Sequence, residues 1–315
     1  MDRRAWRVRA ALRGSSDRRR RRRSRERRGG PDLRSERADR NPLVVSALVL
    51  RHVSLESDGP TVALTLEPGR ILAVMGRPGA GKSRFLGALA GEERFARGTY
   101  ERASGPWCFS GRIGGRTKLA AIAGQGGGTS PTAITDALTA VGLWERRNDP
   151  ISKLTSGAAL GAELLPAMAE GTGLRLVDAL YDGLDPWTYA LAMERTRKLQ
   201  EGGAAYVIAT NRVDLAREAD AILVLRGGRV VFAGTPGELT RRGTATRMVV
   251  DANSQPGVRA IAAPFTVTIR QEGDRLTMEA AEGQALAARL LLEGYGNVRS
   301  VVLQEPDLAD ALREL

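Results

Sequence analysis

One octapeptide constrains this chain more than any other feature: Gly76-Arg77-Pro78-Gly79-Ala80-Gly81-Lys82-Ser83, which fits the spacing GxxxxGK[ST]. It follows an apolar run, Ile71 to Met75, that reads as a buried strand, and it opens a helical pattern from Lys82 to Ala90. Glycines at this spacing let successive backbone N–H groups curl around phosphate oxygens, and the start of the next helix adds the positive end of its dipole. Lys82 is then placed to reach the β- and γ-phosphates of a nucleotide, and Ser83 to ligate Mg²⁺. Chemistry on that nucleotide also needs an acid at the end of a neighbouring strand to hold the metal through water. The run Leu174-Arg175-Leu176-Val177-Asp178 supplies one.

The texture around this motif is that of an α/β domain. Leu48 to Leu55 and Thr61 to Leu66 alternate as strands, and Leu174 to Val177, Ala205 to Ala209 and Ala221 to Leu225 are short apolar runs with helical patterns such as Trp187 to Leu199 among them. This order predicts a mostly parallel sheet covered on both faces. After Gly243 the pattern changes to a small α+β unit. Its strands fall near Met248 to Val250, Phe265 to Arg270, Arg275 to Ala280 and Val298 to Gln304, with helices at Gln284 to Glu293 and from Pro306. The expected organisation is a tail over residues 1–41, a nucleotide-binding domain over 42–241 and an accessory domain over 242–315.

Charge needs to be placed before it is interpreted. The chain carries 48 Lys and Arg against 36 Asp and Glu, a formal net charge of +12 that invites a nucleic-acid reading. The first 41 residues hold 17 arginines and six acids, which leaves 31 basic and 30 acidic groups in a nearly neutral body. With few large apolar side chains to offset the entropy of ordering, that tail is expected to be disordered. One cysteine, Cys108, and one histidine, His52, exclude a disulfide framework, a Cys/His zinc module and any Ser-His-Asp hydrolase not built on that single ring. His52 itself reads as a partly buried strand residue. No run approaches the apolar length of a membrane helix, and the N-terminal arginines are followed by no apolar segment of a secretory leader, so residence in the cytosol is expected.

From about Val44 to Leu239 the chain resembles the ATP-binding subunits of ABC transporters. Gln125 stands where that family's Q-loop glutamine falls, and Thr135 to Leu138 resembles the start of the helical signature subdomain. Leu154-Thr155-Ser156-Gly157-Ala158 takes the place of the LSGGQ signature. Asp178 and Asp185 match the Walker B and D-loop acids, and Gly227 to Pro236 resembles the family's closing hairpin. The resemblance implies a P-loop NTPase fold that binds ATP and Mg²⁺. The nucleotide would be held by Gly76 to Ser83, Gln125, Thr155, Gly157 and Asp185, and the metal by Ser83, Gln125 and Asp178.

The departures are as informative. The family's catalytic glutamate follows the Walker B acid directly; here Ala179 stands there and can accept no proton. Asn211 replaces the switch histidine, and Ser156 and Ala158 depart from the signature, while Thr155 keeps a hydroxyl and Gly157 a backbone donor. The adenine-stacking aromatic aligns near Ser57, with no Tyr, Phe or Trp between Leu43 and Gly81. Losing a stack worth about 0.5–1.5 kcal/mol weakens nucleotide affinity by up to about tenfold. Binding is therefore expected to survive and hydrolysis to be impaired.

In the family two such subunits sandwich two nucleotides beside a separate transmembrane permease. The implied role is the regulatory half of an asymmetric pair on the cytoplasmic face of the membrane. The ending Pro306 to Leu315 resembles that of exporter ATPases of the daunorubicin-resistance type, which favours export. A second function class is a non-transport, nucleotide-dependent regulator that places its arginine tail on nucleic acid or anionic membrane. A neutral body makes nucleic acid the less expected partner.

Overall fold

The computed structural model of the chain describes residues 46–124, 130–242, 246–304, 307–313 and 315. Two compact units emerge, one of Met1–Asn211 with Leu223–Ala233, the other of Arg212–Ile222 with Gly234–Leu315. The expected tail over 1–41 lies outside the described residues.

In the first unit, β1 (Leu48–Ser54) and β2 (Val62–Leu66) alternate buried and exposed positions and pair antiparallel, with Leu48 opposite Leu66. After β3 (Ile71–Met75) and α1 (Lys82–Ala90), β4 (Arg97–Arg102) returns to the other side of β1, also antiparallel. These strands form a sheet of their own, ordered β2-β1-β4, in addition to the mostly parallel sheet that the alternation of strands and helices predicts. Their period of two marks strands covered on one face only, and that suits antiparallel pairing. His52 also departs from expectation: it is exposed, at φ 53, where the register of β1 shifts. A bulge turns its ring out of the sheet's buried face. Gly98 opposite permits the bulge, because a Cβ there would strike the His52 carbonyl.

Next come β5 (Trp107–Cys108) and a helical segment of α2 (Leu119–Ala123), α3 (Pro131–Ala140) and α4 (Ser156–Met168). Ser130 accepts from Ala133 N at 3.1 Å and Pro131 takes the first turn, so α3 starts where sequence chemistry places a cap. The predicted strand at Leu174 becomes β6 (Gly173–Asp178), followed by a 3₁₀ turn over Leu180–Gly183 and by α5 (Pro186–Glu201). β7 (Ala204–Ala209), α6 (Val213–Glu218), β8 (Ala221–Arg226), β9 (Arg229–Gly234) and α7 (Pro236–Arg242) complete this stretch. The large sheet has the order β5-β6-β7-β3-β8-β9, and its pairs β5/β6, β6/β7 and β7/β3 are parallel. β3 and β7 are buried at every residue, as short all-apolar strands must be when both faces are covered.

The C-terminal stretch runs β10 (Thr246–Ala252), α8 (Gln255–Ala262), β11 (Val267–Glu272), β12 (Arg275–Ala280), α9 (Gly283–Glu293), β13 (Val298–Gln304) and α10 (Leu308–Arg313). Its strands are antiparallel in the order β11-β12-β10-β13, the ferredoxin-like arrangement of a βαββαβ chain. Met248, Val250, Leu276, Met278, Leu286 and Leu290 make a core separate from that of the large sheet. Within this unit α10 packs on α7 and α6. No helix among the described residues is long and apolar enough to cross a membrane.

Candidate nucleotide-binding site

Strand register assembles the site. Val74 pairs with Ala209 and Ala209 with Asp178, so the carboxyl ends of β3, β7 and β6 lie abreast at one edge of the large sheet. That edge of an open parallel sheet is where ligands settle. The exits are tied together by Thr210 N to Val74 O and Ala179 N to Ala209 O, both 3.0 Å. β3 thus delivers the glycine loop, β6 delivers Asp178, and β7 delivers Thr210 and Asn211.

The loop has the backbone that a phosphate cradle needs. Gly76, Gly79 and Gly81 have φ values of 148, 78 and 101. A Cβ on Gly76 would collide with the Leu225 carbonyl and with Ala80, so no other residue fits there. Gly81 caps α1 with no side chain, leaving the N–H groups of the first turn to a ligand. Arg77, Pro78 and Gly79 form the exposed rim, and Ala80 is buried behind them. Lys82 folds back to donate to Gly76 O at 2.5 Å, Arg77 O at 3.4 Å and Asn211 Oδ1 at 3.0 Å. Burial pulls its pKa below the ordinary lysine value, and Asp182 and Asp178 act in the opposite sense.

Ser83 hydrogen-bonds the half-buried Asp178 carboxylate. Desolvation raises the pKa of that acid, while Ser83 and Lys82 restrain the rise. A hydroxyl and a carboxylate brought together beside a phosphate cradle are hard oxygen donors of the kind Mg²⁺ takes along with phosphate and water. The residues therefore fit both a nucleotide phosphate chain and its metal. Gln125, expected to contribute to both, lies outside the described residues.

The other expected residues stand apart from this cluster. Thr155 begins α4 with no side-chain cap, and Gly157 is exposed with open space where a Cβ would be. Asp185 commits its carboxylate to capping α5, accepting from Trp187 N and Thr188 N, both at 3.0 Å; the Thr188 hydroxyl first, and then these backbone donors, hold its pKa below the ordinary carboxylate value. Ala179 takes a left-handed backbone, φ 55, at the start of the 3₁₀ turn. That turn carries Asp182, which sequence reasoning missed: its carboxylate accepts from Thr210 Oγ1 and, at 2.8 Å, from Asn211 N. An acid four positions past Asp178 has no reading in sequence until the turn and β7 are seen side by side.

Fold and loop together define a P-loop nucleotide-binding domain. A family model described as ABC transporter matches residues 60–179. A hemin import ATP-binding protein of Pseudomonas fluorescens is 30% identical over 57% of this chain and 82% of its own length. A lipoprotein-releasing system ATP-binding protein of Rhodospirillum rubrum is 30% identical over 54% and 87%. An ABC transporter ATP-binding protein of Streptomyces avermitilis is also 30% identical, over 71% of this chain, which spans only 42% of that longer relative. A solved structure of an ATP-binding subunit of an ABC transporter shares the fold at a TM-score of 0.52 and 19% identity, covering 62% of this chain and 93% of that one. The chain belongs to the family of ABC transporter ATP-binding proteins.

Proposed function

We propose that this chain is the ATP-binding subunit of an exporter, coupling nucleotide binding to transport by a separate membrane permease, with its own hydrolysis impaired. The observation that carries the reading is an intact phosphate loop, with Lys82, Ser83 and Asp178 gathered at one sheet edge, next to an alanine at the position after Asp178. Binding and catalysis are thereby separated within one site. The loop N–H groups and Lys82 hold the phosphates, and Ser83 and Asp178 hold the Mg²⁺, whose charge offsets that of the phosphates. Ala179 offers no proton acceptor for an attacking water.

Thr155 and Gly157, exposed at the start of α4, are free to meet a nucleotide held by a second subunit, and Asp185 lies on the exposed turn before α5. These placements support an asymmetric pair in which the partner supplies the catalytic glutamate. The βαββαβ unit and the ending from Pro306 support export, and the subunit would sit on the cytoplasmic face of its membrane. The domain division of 42–241 and 242–315 belongs to the same reading.

The test is nucleotide binding and hydrolysis by the chain alone and in complex with co-expressed membrane and ATPase partners. The expected result is Mg²⁺-dependent ATP binding lost in Lys82→Ala, background turnover alone, and turnover in the complex that depends on the partner's loop lysine. Turnover by the isolated chain that Lys82→Ala abolishes would sink the impaired-hydrolysis half of the proposal.

A further inference from the structure

Asp182 is bound into the phosphate site although the family's motif assigns it nothing. Its carboxylate lies between the turn after β6 and the end of β7, accepting from the buried Thr210 hydroxyl on one oxygen and from Asn211 N at 2.8 Å on the other. Fixing the Asn211 backbone in this way fixes where its side chain can reach, and the side-chain carbonyl accepts from Lys82 Nζ at 3.0 Å. Carboxylate, asparagine and lysine therefore form one chain of hydrogen bonds across three strand exits. An asparagine amide whose oxygen is spent on lysine still has two N–H donors to offer an anion.

We infer that Asp182 is a positioning residue that holds Asn211 as the reader of the terminal phosphate of a bound nucleoside triphosphate. This rests on the reading of the loop as an ATP site. A bound terminal phosphate competes for Lys82 and draws it from Asn211 Oδ1, and the amide held in place by Asp182 donates to that phosphate. A diphosphate leaves the amide without its ligand. Asp182 thus contributes to discrimination between the two nucleotides, not to affinity for both.

A plain charge role predicts something else. A carboxylate near the phosphates repels them, so neutralising it would tighten diphosphate and triphosphate binding together. Asp182→Asn separates the two: it removes the charge, and its single oxygen can no longer accept from Thr210 Oγ1 and Asn211 N on separate atoms, so the charge-assisted bond that fixes Asn211 is lost.

The experiment measures Mg²⁺-dependent binding of ADP and of a non-hydrolysable ATP analogue to the full chain and to D182N, D182E, N211A and the D182N/N211A pair. The expected result is a preference for the triphosphate that falls about tenfold in D182N and N211A, the value of one charge-assisted hydrogen bond. The pair is expected to lose no more than either single variant, because both remove the same interaction, and D182E, which keeps an acceptor, to retain part of the preference. Equal changes for both nucleotides, or additive losses in the pair, overturn the assignment while leaving the ATP site standing. Binding of neither nucleotide to the wild-type chain overturns both. Should D182N not fold, N211A and D182E carry the same comparison, and an unchanged preference in N211A overturns the assignment.

Discussion

At the residue scale, Asp178 shows a conflict between stability and ligand binding. Its folded pKa lies above that of an exposed carboxylate because burial disfavours the charge. A folded state that holds a proton more tightly than the unfolded chain loses stability as pH rises from the ordinary carboxylate value through the raised one. Asp178→Asn is therefore expected to raise the thermal midpoint of the nucleotide-free protein near neutral pH, by about 2–4 °C for each ~1 kcal/mol of relieved charge burial. The gain should vanish in acid, while Mg²⁺-dependent nucleotide binding is lost at all pH values. A midpoint that falls, or a gain that persists in acid, would contradict it. Burial acts in the same sense on Cys108, which is 2% exposed: it pushes the thiol up to about 12. An alkylating reagent at pH 8 is expected to leave it unmodified in the native protein and to react promptly in urea; fast native labelling would count against this placement.

Elements are secured by a few long-range bonds that their own sequences do not announce. α4 ends without a capping glycine, and its last carbonyls are met by Arg175 from β6, at 3.1 Å to Ala167 O and 2.9 Å to Ala169 O, with Gly171 O at 2.8 Å. The guanidinium is only 2% exposed and lies over the Tyr206 ring. Arg175→Met fills the space but takes the guanidinium donor from the buried Ala169 carbonyl, while Ala167 O keeps the Tyr206 hydroxyl at 2.9 Å, so a loss of about 1–3 kcal/mol is expected in urea denaturation. A neutral outcome would mean that water replaces the guanidinium. The strand and helix spans themselves were largely legible: Ile71–Met75, Lys82–Ala90 and Arg275–Ala280 fall where apolar periodicity and glycine boundaries put them. α4 and α8 had no such signal: α4 is apolar on nearly every side and shows no clear face, while α8 is one-sided but only eight residues long, with Pro256 in its first turn. The separate antiparallel sheet was hidden for another reason, since periodicity gives a strand's faces but not its neighbours.

For the whole molecule, every described residue of the phosphate site belongs to the unit of Met1–Asn211 with Leu223–Ala233, while α6, α7 and α10 belong to the other. Leu308 on α10 is 2% exposed, in a helix that packs on α7 and α6. Leu308→Ala is expected to cost about 2–3 kcal/mol in the unfolding of that unit and to leave nucleotide affinity unchanged. Parallel losses of stability and affinity would show the two units to be energetically coupled. The sequence by itself determined the phosphate loop, because strand, glycine turn, lysine and helix start are neighbours along the chain and their chemistry is local. It also determined that an alanine, Ala179, and not a carboxylate follows Asp178, since the identity of a neighbouring residue needs no fold to be noticed. Tertiary structure alone decided that Asp182, Asn211 and Lys82 join in one hydrogen-bonded chain: Lys82 and Asn211 are 129 residues apart, and only the parallel register of β3, β7 and β6 brings their strand exits to one edge.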